Sequence, residues 1–359
     1  MPCLAAVAAI AIALAPAAAG ACTTVLLERQ GEVAVAKSYD FHMGHGLIIV
    51  NPRGLAKYAM RSVSGRRLAG WVSRFGSVTF NQYGRELPAS GMNEAGLVVE
   101  VMWLDETRYP APDERPVVPD LQWIQYQLDN WATVAEVVEH AEDVRVDSGT
   151  ARVHYLVCDR TAACVAVEFL DGEMVLTTGA AMPVRTLTNS TYGESRAFLG
   201  QHAGFGGTMP IPGSVGSLER FVRASALAGR AAREDRGKPG LSDDAFAILD
   251  SVSQGPASVW NIVHDPVRRV IHYRTWASPR FKRITLSNLD FSCSAGLRAL
   301  DVDAERWGDV FASFLPYTVE MNLSIVRRSF AKHFGPVPRG TVEYVTRFAE
   351  GFHCADAIK

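Results

Sequence analysis

Hydrophobic and polar positions divide the chain after residue 21 into strand-like and helix-like segments. The first strand-like runs are rich in β-branched residues and are broken by glycine or polar turns: CTTVLLE, EVAVAKSYDF, GLIIVN, SVTFNQYG and LVVEVMWL. The last two runs are joined through Gly91 to Gly96, a Gly- and Asn-containing stretch that is typical of a tight turn. Several runs are apolar on both faces, which predicts sheets that are covered on both sides.

The rest of the chain mixes helical and strand patterns. Apolar residues recur at helical spacing in LQWIQYQLDNWATVAEVVEHAEDV, in SLERFVRASALAGRAARE with Ser217 as the predicted N-cap, and in LSDDAFAILDSVSQ. Strand patterns return in RVHYLVC, CVAVEFL and VRTLTN, and SVWNIVHD with VIHYRTW predicts a hairpin across Pro266. The order of strands, helix, strands, helices and strands predicts a layered α+β architecture.

The first 21 residues form a separate apolar segment, MPCLAAVAAIAIALAPAAAGA, without a charged side chain. Its core has the length of a signal-peptide h-region, and Ala19-Gly20-Ala21 is a small-x-small cleavage site. We therefore predict a signal peptide over residues 1–21, although no Lys or Arg precedes the h-region. Cleavage would make Cys22 the first residue of a periplasmic or secreted protein. Two alternatives stay open: a buried helix, and a lipoprotein acylated on Cys22.

Composition indicates a globular chain of 359 residues, of which 48% are hydrophobic and 21% are charged. A formal net charge of -2 gives no field of one sign, so neither nucleic acid nor a membrane surface is a predicted partner. After the signal segment, no apolar run reaches the length of a stable membrane span. No Cys/His spacing suggests a metal site.

The cysteines become informative once the segment before Cys22 is set aside, because an odd number then remains. Cys158 and Cys164 flank the turn DRTAA between two strand-like runs, where a disulfide across a hairpin is geometrically feasible. Cys293 and Cys354 could then pair and fasten the C-terminal tail. Cys22 would be the unpaired thiol of an exported protein. The alternative is that the other four are buried thiols without disulfides.

A cysteine at the first position of a mature chain has a specific chemical capacity. A thiolate is a strong nucleophile, but a free thiol is mostly protonated at neutral pH and needs a base. The α-amino group has an unperturbed pKa of about 8 and can act as that base on the same residue. Signal-peptide removal before Cys22 would therefore create the nucleophile and its base together.

Five motifs in a fixed order carry a resemblance to a known family: Cys22 before a strand, then KSYDF, SGMNEAGL, LTNS and LERFVR. They resemble the choloylglycine hydrolase and penicillin V acylase family, which are linear amide C–N hydrolases of the N-terminal nucleophile hydrolase superfamily. The match runs from Cys22 to about Leu289, and LQWIQYQLDNWATVAEV is similar to a helix of the exported Gram-negative branch. The resemblance implies a four-layer αββα fold, with two stacked, mostly antiparallel sheets covered by helices. It also implies one domain over residues 22–359, with a C-terminal extension over about 290–359.

The resemblance assigns roles residue by residue. Cys22 matches the nucleophile, and Asp40 in KSYDF matches the aspartate that binds the catalytic amine and thiol. Asn93 in GMNEAG and Asn189 in LTNS match two asparagines of the oxyanion hole. Arg220 in ERFVR matches an arginine that steadies the site by hydrogen bonds. Outside their motifs, Asp40 and Asn93 would be ordinary turn residues and Arg220 a helix-surface charge.

One position departs from the family pattern. Lys37 stands three residues before Asp40, where the family commonly has arginine. A lysine keeps the positive charge that favours a thiolate, but it lacks the planar fork of donors. This departure leaves open an inactive protein of the same fold that binds its ligand without turnover.

The resemblance implies acyl transfer from a small-molecule N-acyl amide, with no metal or organic cofactor. Phe41, Tyr83 and Trp103 lie near the matched motifs and are candidates for an apolar acyl pocket, with ordinary core packing as the alternative. Such a pocket suits the phenoxyacetyl group of penicillin V or the fatty-acyl group of an N-acyl homoserine lactone. Conjugated bile salts are the third candidate class.

The sequence defines neither a catalytic histidine nor the oligomeric state. His42 and His45 flank the turn after Asp40, but neither has a partner spacing that demands a catalytic role. The segment between Asn189 and Arg220 is short and Gly-rich, whereas tetrameric family members often carry a longer assembly hairpin there. A homo-oligomer therefore remains an open prediction.

Overall fold

The computed structural model describes residues 21–61, 67–147, 151–233 and 240–355. The predicted signal peptide of residues 1–21 lies outside these ranges, apart from Ala21. Two large sheets dominate the described chain, one of seven strands and one of nine. Within the described ranges, no helix is both long enough and apolar enough to cross a bilayer.

The first sheet contains the two N-terminal strands. Its strands in spatial order are β14 (Thr186–Leu187), β1 (Thr23–Arg29), β2 (Glu32–Asp40), β15 (Ser258–Asp265), β16 (Val270–Thr275), β17 (Lys282–Thr285) and β19 (Gly308–Asp309). Neighbouring strands are antiparallel except for the parallel pair β17 and β19. The predicted hairpin across Pro266 is confirmed as β15 and β16, and β15 pairs with β2.

The second sheet is antiparallel throughout. Its strands in spatial order are β13 (Glu173–Thr178), β12 (Cys164–Leu170), β11 (Val153–Cys158), β8 (Val98–Trp103), β7 (Pro88–Asn93), β6 (Ser77–Asn81), β3 (Leu47–Asn51), β18 (Arg298–Asp301) and β20 (Leu315–Pro316). The remaining short strands form two small sheets: β21 (His353–Cys354) with β4 (Leu55–Tyr58) and β5 (Gly70–Val72), and β9 (Val117–Val118) with β10 (Arg145–Val146).

Helices cover the outer faces of the sheets, and two more helices lie in the C-terminal part of the chain. Their bounds are α1 (Asp120–Asn130), α2 (Val134–Glu139), α3 (Tyr192–Leu199), α4 (Ser217–Ala231), α5 (Leu241–Ser251), α6 (Val319–His333) and α7 (Arg339–Arg347). Helices α4 and α5 pack on the first sheet, and α1 packs on β7 and β8 of the second sheet.

Side-chain alternation along β1 and β2 explains the layers. Leu26 and Val35 belong to the main core, which they share with strands of the second sheet. Val25 and Ala34 point to the opposite face, where they pack with apolar residues of α4 and α5. Because both faces of these strands are buried, their apolar runs are continuous, as the sequence predicted. The order helix, sheet, sheet, helix confirms the predicted α+β, four-layer αββα fold.

The long helix predicted after Pro119 is instead two helices, α1 and α2. The side chain of Thr133 accepts a hydrogen bond from the backbone N–H of Glu136, and the Glu136 carboxylate accepts one from the N–H of Thr133. This capping box starts a new helix at Val134, and three residues separate it from the end of the first helix at Asn130. The apolar spacing continues across the break, which is why the prediction of one helix was wrong.

Both predicted disulfides are present. Cys158 and Cys164 are directly opposite each other at the ends of β11 and β12, with their Cα atoms 4.2 Å apart. Cys293 and Cys354 are joined across a separation of 61 residues, which ties β21 and the end of the C-terminal extension to the rest of the fold. Cys22 is a free and buried thiol.

The two disulfides should contribute unequally to stability, because the loops that they close differ in length. Removing the 61-residue loop closure through Cys293→Ala with Cys354→Ala should lower the free energy of unfolding by about 4 kcal/mol. Removing the six-residue closure through Cys158→Ala with Cys164→Ala should lower it by about 2 kcal/mol. Urea unfolding of the oxidised proteins measures both, and equal losses would contradict the loop-length argument.

Candidate active site

Cys22 lies immediately before β1, at the wall of a cavity of about 390 Å³. The residue is only 4% exposed, because the first sheet continues from it and the second sheet covers it. Its Sγ lies 3.9 Å from the carbonyl oxygen of Asp40, which ends β2 and lines the same cavity. The antiparallel register of β1 and β2 therefore brings these two predicted site residues together.

The Asp40 carboxylate is held by polar groups from three segments. Ser38 donates a hydrogen bond to its Oδ1, and Ser258 at the start of β15 also hydrogen-bonds to it. Gln254 donates to its Oδ2 at 2.8 Å and, with the same side-chain nitrogen, to the carbonyl of Ala21 at 2.9 Å. Gln254 therefore bridges the candidate catalytic aspartate and the peptide unit that precedes Cys22.

Arg220 is fully buried and hydrogen-bonds to the backbone of Cys22. One guanidinium nitrogen donates to the carbonyl oxygen of Cys22 at 2.6 Å and to the hydroxyl of Thr23. The other terminal nitrogen donates to Oδ1 of Asn189 at 2.9 Å. Asn189 in turn donates from Nδ2 to the carbonyl of Trp103 at 2.9 Å. The predicted residues Arg220 and Asn189 are thus linked to Cys22 and to the end of β8.

Ser217 does not cap α4 as predicted. Gly216 occupies the N-cap position, and Ser217 is the first helical residue. Its hydroxyl instead accepts a hydrogen bond from the backbone N–H of Asn189 at 2.9 Å and donates one to Thr188 at 3.0 Å. The start of α4 consequently positions the loop that carries Asn189, one turn from Arg220.

Lys37 is completely buried and has a carboxylate partner. Its Nζ lies 3.3 Å from Glu100 on β8 and donates to the backbone carbonyl of Val101. Glu100 also accepts from Ser90 at 2.8 Å and lies 2.9 Å from the imidazole of His264. The positive charge of Lys37 is therefore held in a buried network of strand residues beside the cysteine.

Burial dominates the electrostatics of the site. It raises the pKa of the Cys22 thiol above its usual 9.0, while the positive charge of Lys37 opposes this rise and the negative charge of Asp40 adds to it. Burial also raises the pKa of the Asp40 carboxyl, against hydrogen bonds from Ser258 and Ser38 that favour its ionised form. Desolvation lowers the pKa of Arg220, although its usual value is so high that the guanidinium stays charged.

Asn93 is not part of the hydrogen-bonded group of residues around Cys22. Its Nδ2 donates to the carbonyl oxygens of Leu128 and Trp131 at the end of α1, and its Oδ1 accepts from the N–H groups of Ala95 and Leu97. These contacts stabilise the turn between β7 and β8 and anchor α1 to it. Both Nδ2 hydrogens are used in these bonds, so the fully buried amide of Asn93 has no hydrogen left to donate to an oxyanion. We therefore no longer assign it to the oxyanion hole.

The three aromatic residues proposed for substrate contact all line the cavity with Cys22. Phe41 follows Asp40 directly, Tyr83 lies in the segment after β6, and Trp103 ends β8. The walls between them are mainly apolar: Met60, Leu87, Val101, Leu121, Val153 and Phe330. Within the described ranges, no cluster of three or more His, Cys, Asp or Glu side chains could hold a metal ion.

Sequence reasoning missed several residues of the site, for different reasons. Glu100 and His264 each interrupt an apolar strand, LVVEVMW and SVWNIVHD, and a charged or titratable residue in such a run was a usable signal. Gln254 lies in a loop after α5 with no pattern that marks it. The cavity wall contributed by α6, α7 and their connection was also missed, because it depends on long-range packing.

Known proteins resemble this chain in sequence and in fold. Residues 22–276 match the sequence profile of the linear amide C-N hydrolases, choloylglycine hydrolase family. Penicillin V acylase from Pectobacterium atrosepticum is 32% identical over 172 residues, a match that spans 43% of this chain and 45% of that protein.

Solved structures share the fold. Penicillin V acylase from Agrobacterium tumefaciens has a TM-score of 0.72 and 28% identity, covering 83% of this chain and 98% of that one. A variant of conjugated bile acid hydrolase from Clostridium perfringens has a TM-score of 0.63 and 19% identity, covering 75% and 94%, and shows the fold alone. Since the family profile covers most of the chain and begins at Cys22, the chain belongs to the choloylglycine hydrolase family of linear amide C–N hydrolases.

Proposed function

We propose that this protein is an amidase that hydrolyses N-acyl amides with Cys22 as its N-terminal nucleophile. The observation that carries the proposal is the convergence on Cys22 of Asp40, Arg220 and a largely apolar cavity. Removal of residues 1–21 in the periplasm or during secretion would expose the α-amine beside Asp40 and Gln254. The export and the cleavage are part of the proposal.

The reaction has two acyl-transfer steps. The Cys22 sulfur attacks the amide carbonyl, and the α-amine takes the thiol proton and passes it to the leaving nitrogen as the C–N bond breaks. Water then attacks the thioester, with the same amine as base, and releases a carboxylic acid and the regenerated thiol. We assign stabilisation of the oxyanion to the side-chain amide of Asn189 together with backbone N–H groups. Arg220 and the Trp103 carbonyl orient this amide.

The pocket supports apolar acyl groups. Phe41, Tyr83 and Trp103 line the cavity beside Cys22, and aromatic and aliphatic walls favour uncharged acyl groups over polar ones. The relatives named penicillin V acylase make the phenoxyacetyl group of penicillin V a first candidate, and long-chain N-acyl homoserine lactones are a second. Conjugated bile salts are the third class, because the matched family is that of choloylglycine hydrolase. Assembly into a homo-oligomer stays a prediction.

The decisive experiment combines intact mass with turnover. The exported protein should begin with an unmodified Cys22, take up one equivalent of a thiol-alkylating agent, and hydrolyse at least one of penicillin V, glycocholate and a long-chain N-acyl homoserine lactone. Cys22→Ser should abolish turnover, because the hydroxyl is a far weaker nucleophile than the thiolate. Cys22→Ser should keep the wild-type melting temperature, which separates lost chemistry from lost folding.

Two rival functions give different results in the same experiment. A lipoprotein anchored through Cys22 would show the added mass of diacylglycerol and a third acyl chain. An inactive binding protein would show an unmodified cysteine, ligand binding that Cys22→Ser leaves unchanged, and no turnover of any of the three substrates. Either result would exclude the amidase mechanism for these substrate classes.

The two asparagines should behave oppositely when each is replaced by alanine. Asn189→Ala should lower kcat by about 10²–10³-fold, because an oxyanion donor and its orienting bonds are lost. Asn93→Ala should instead lower the free energy of unfolding by about 3 kcal/mol, because two buried and two partly buried backbone groups lose their partner. Its kcat, measured on the folded fraction, should stay within about threefold of wild type. A large fall in kcat for folded Asn93→Ala would restore the oxyanion assignment.

The charge of Lys37 should be visible in the reactivity of Cys22. Lys37→Met should raise the apparent pKa of the Cys22 thiol, because a positive charge that lowers this pKa is removed. The measurement is the rate of thiol alkylation against pH, with Lys37→Arg as the control that keeps the charge. Lys37→Met leaves Glu100 buried without its cation, at a cost of about 3–5 kcal/mol. The double variant with Glu100→Gln therefore serves as a folded alternative. An unchanged alkylation profile would show that Lys37 does not tune the thiol.

A further inference from the structure

The far wall of the active-site cavity is formed by residues outside the segment that matches the family. That match ends at residue 276, whereas α6, α7 and their connection occupy residues 319–347. From this C-terminal segment, side chains line the cavity that also contains Cys22: Phe330, His333, Phe334, Val337, Thr341 and Val345. Tyr83 and Leu87 pack directly against them, in an apolar cluster that includes Phe330 and Val345.

This segment is fixed to the rest of the molecule by buried polar contacts. Asn322 on α6 accepts a hydrogen bond from the N–H of Arg85 at 2.8 Å and donates to the carbonyl of Thr346 on α7 at 2.9 Å. Ser329 donates to the carbonyl of Gln82. The Cys293–Cys354 disulfide closes the chain beyond α7. These contacts hold α6 against the segment between β6 and β7 and hold α7 against α6, so the wall is a fixed part of the cavity.

The same segment also contacts the catalytic end of the cavity. His333, the last residue of α6, stacks on His42 with ring centroids 5.2 Å apart and lies 5.5 Å from the ring of Phe41. Phe41 and His42 directly follow Asp40. The C-terminal segment thus spans the cavity from the catalytic turn to the apolar cluster around Tyr83 and Leu87.

We propose that the α6–α7 segment is the specificity-determining wall of the acyl site. It sets the length and bulk of the uncharged acyl group that can lie between Cys22 and the cluster around Phe330. This inference rests on the proposed amidase function, since it names the part of the chain that selects the acyl half of the substrate. The amine half, which leaves first, is not selected by this wall.

The physical basis is the apolar contact that each added methylene makes. Every methylene buried against the wall should increase kcat/KM by about fourfold, until the chain meets the far side chains. Beyond that length an added methylene overpacks the site, and kcat/KM should stop rising or fall. We call the acyl length at which kcat/KM stops rising the break, and its position along an acyl series reports the distance of the wall from Cys22.

The test is the acyl-length profile of kcat/KM for N-acyl homoserine lactones from four to sixteen carbons. Phe334→Ala removes part of the wall and should move the break to longer chains, whereas Val337→Phe adds bulk and should move it to shorter ones. Arg327→Ala is the matched control, because it lies on the exposed part of α6 and should leave the profile unchanged. If both wall variants keep the wild-type profile, the inference is overturned.

A binding measurement separates this inference from the proposed function. Dodecanoate, the acid product of a twelve-carbon acyl amide, can be titrated calorimetrically into the Cys22→Ser protein, where no turnover is needed. Phe334→Ala and Val337→Phe in that background should each weaken dodecanoate binding at least fivefold, and Arg327→Ala should not. If no amide is hydrolysed but these shifts occur, the segment is shown to bind the acyl chain and the amidase proposal alone fails. If amides are hydrolysed but neither profile nor binding responds, the wall assignment fails alone.

Discussion

The buried guanidinium of Arg220 is the interaction on which the geometry around Cys22 depends. It extends from α4 to the carbonyl of Cys22, where the first sheet begins, and to the amide of Asn189. Asn189 in turn holds the carbonyl of Trp103 at the end of a strand of the second sheet. One charged side chain thus connects a helix layer to both sheets. A guanidinium can do so because it presents several donors in one plane, and its buried charge makes each lost acceptor costly.

Burial of ionisable groups is the second constraint around the cysteine. Lys37 and Glu100 are both inaccessible to solvent, and each needs the other because an unpaired charge in this layer would be strongly destabilising. Ser90 and His264 both contact the Oε1 atom of the Glu100 carboxylate. The lysine that acts on the Cys22 thiol is therefore paired with the Glu100 carboxylate. This arrangement differs from a simple cation beside a thiolate, which is what the linear spacing of KSYDF indicates.

The chemistry and the binding surface of the cavity come from different parts of the chain. The groups that contact Cys22 lie within residues 22–276, which match the family. Much of the apolar wall opposite them comes from α6, α7 and their connection, which lie beyond that match. The disulfide to Cys354 and the hydrogen bond of Asn322 with Arg85 fasten this segment to the rest of the fold. Its proximity to Cys22 is a property of packing that no motif in the segment indicates.

The sequence pattern by itself indicated a layered α+β architecture and made the Cys158–Cys164 and Cys293–Cys354 disulfides feasible, with buried thiols as the alternative. The family resemblance supplied the four-layer αββα arrangement and the grouping of Cys22, Asp40, Asn189 and Arg220. Periodicity and motif order are local properties, and both survive in the linear chain. Tertiary structure decided which side chains hydrogen-bond to the backbone groups that have no partner within their own helix or strand. It directed Asn93 to the end of α1 rather than to the cavity, and it placed the Ser217 hydroxyl on the loop of Asn189 instead of on a helix end. It also brought Gln254 and the C-terminal wall to Cys22, because their positions follow from long-range packing that a short stretch of sequence does not encode.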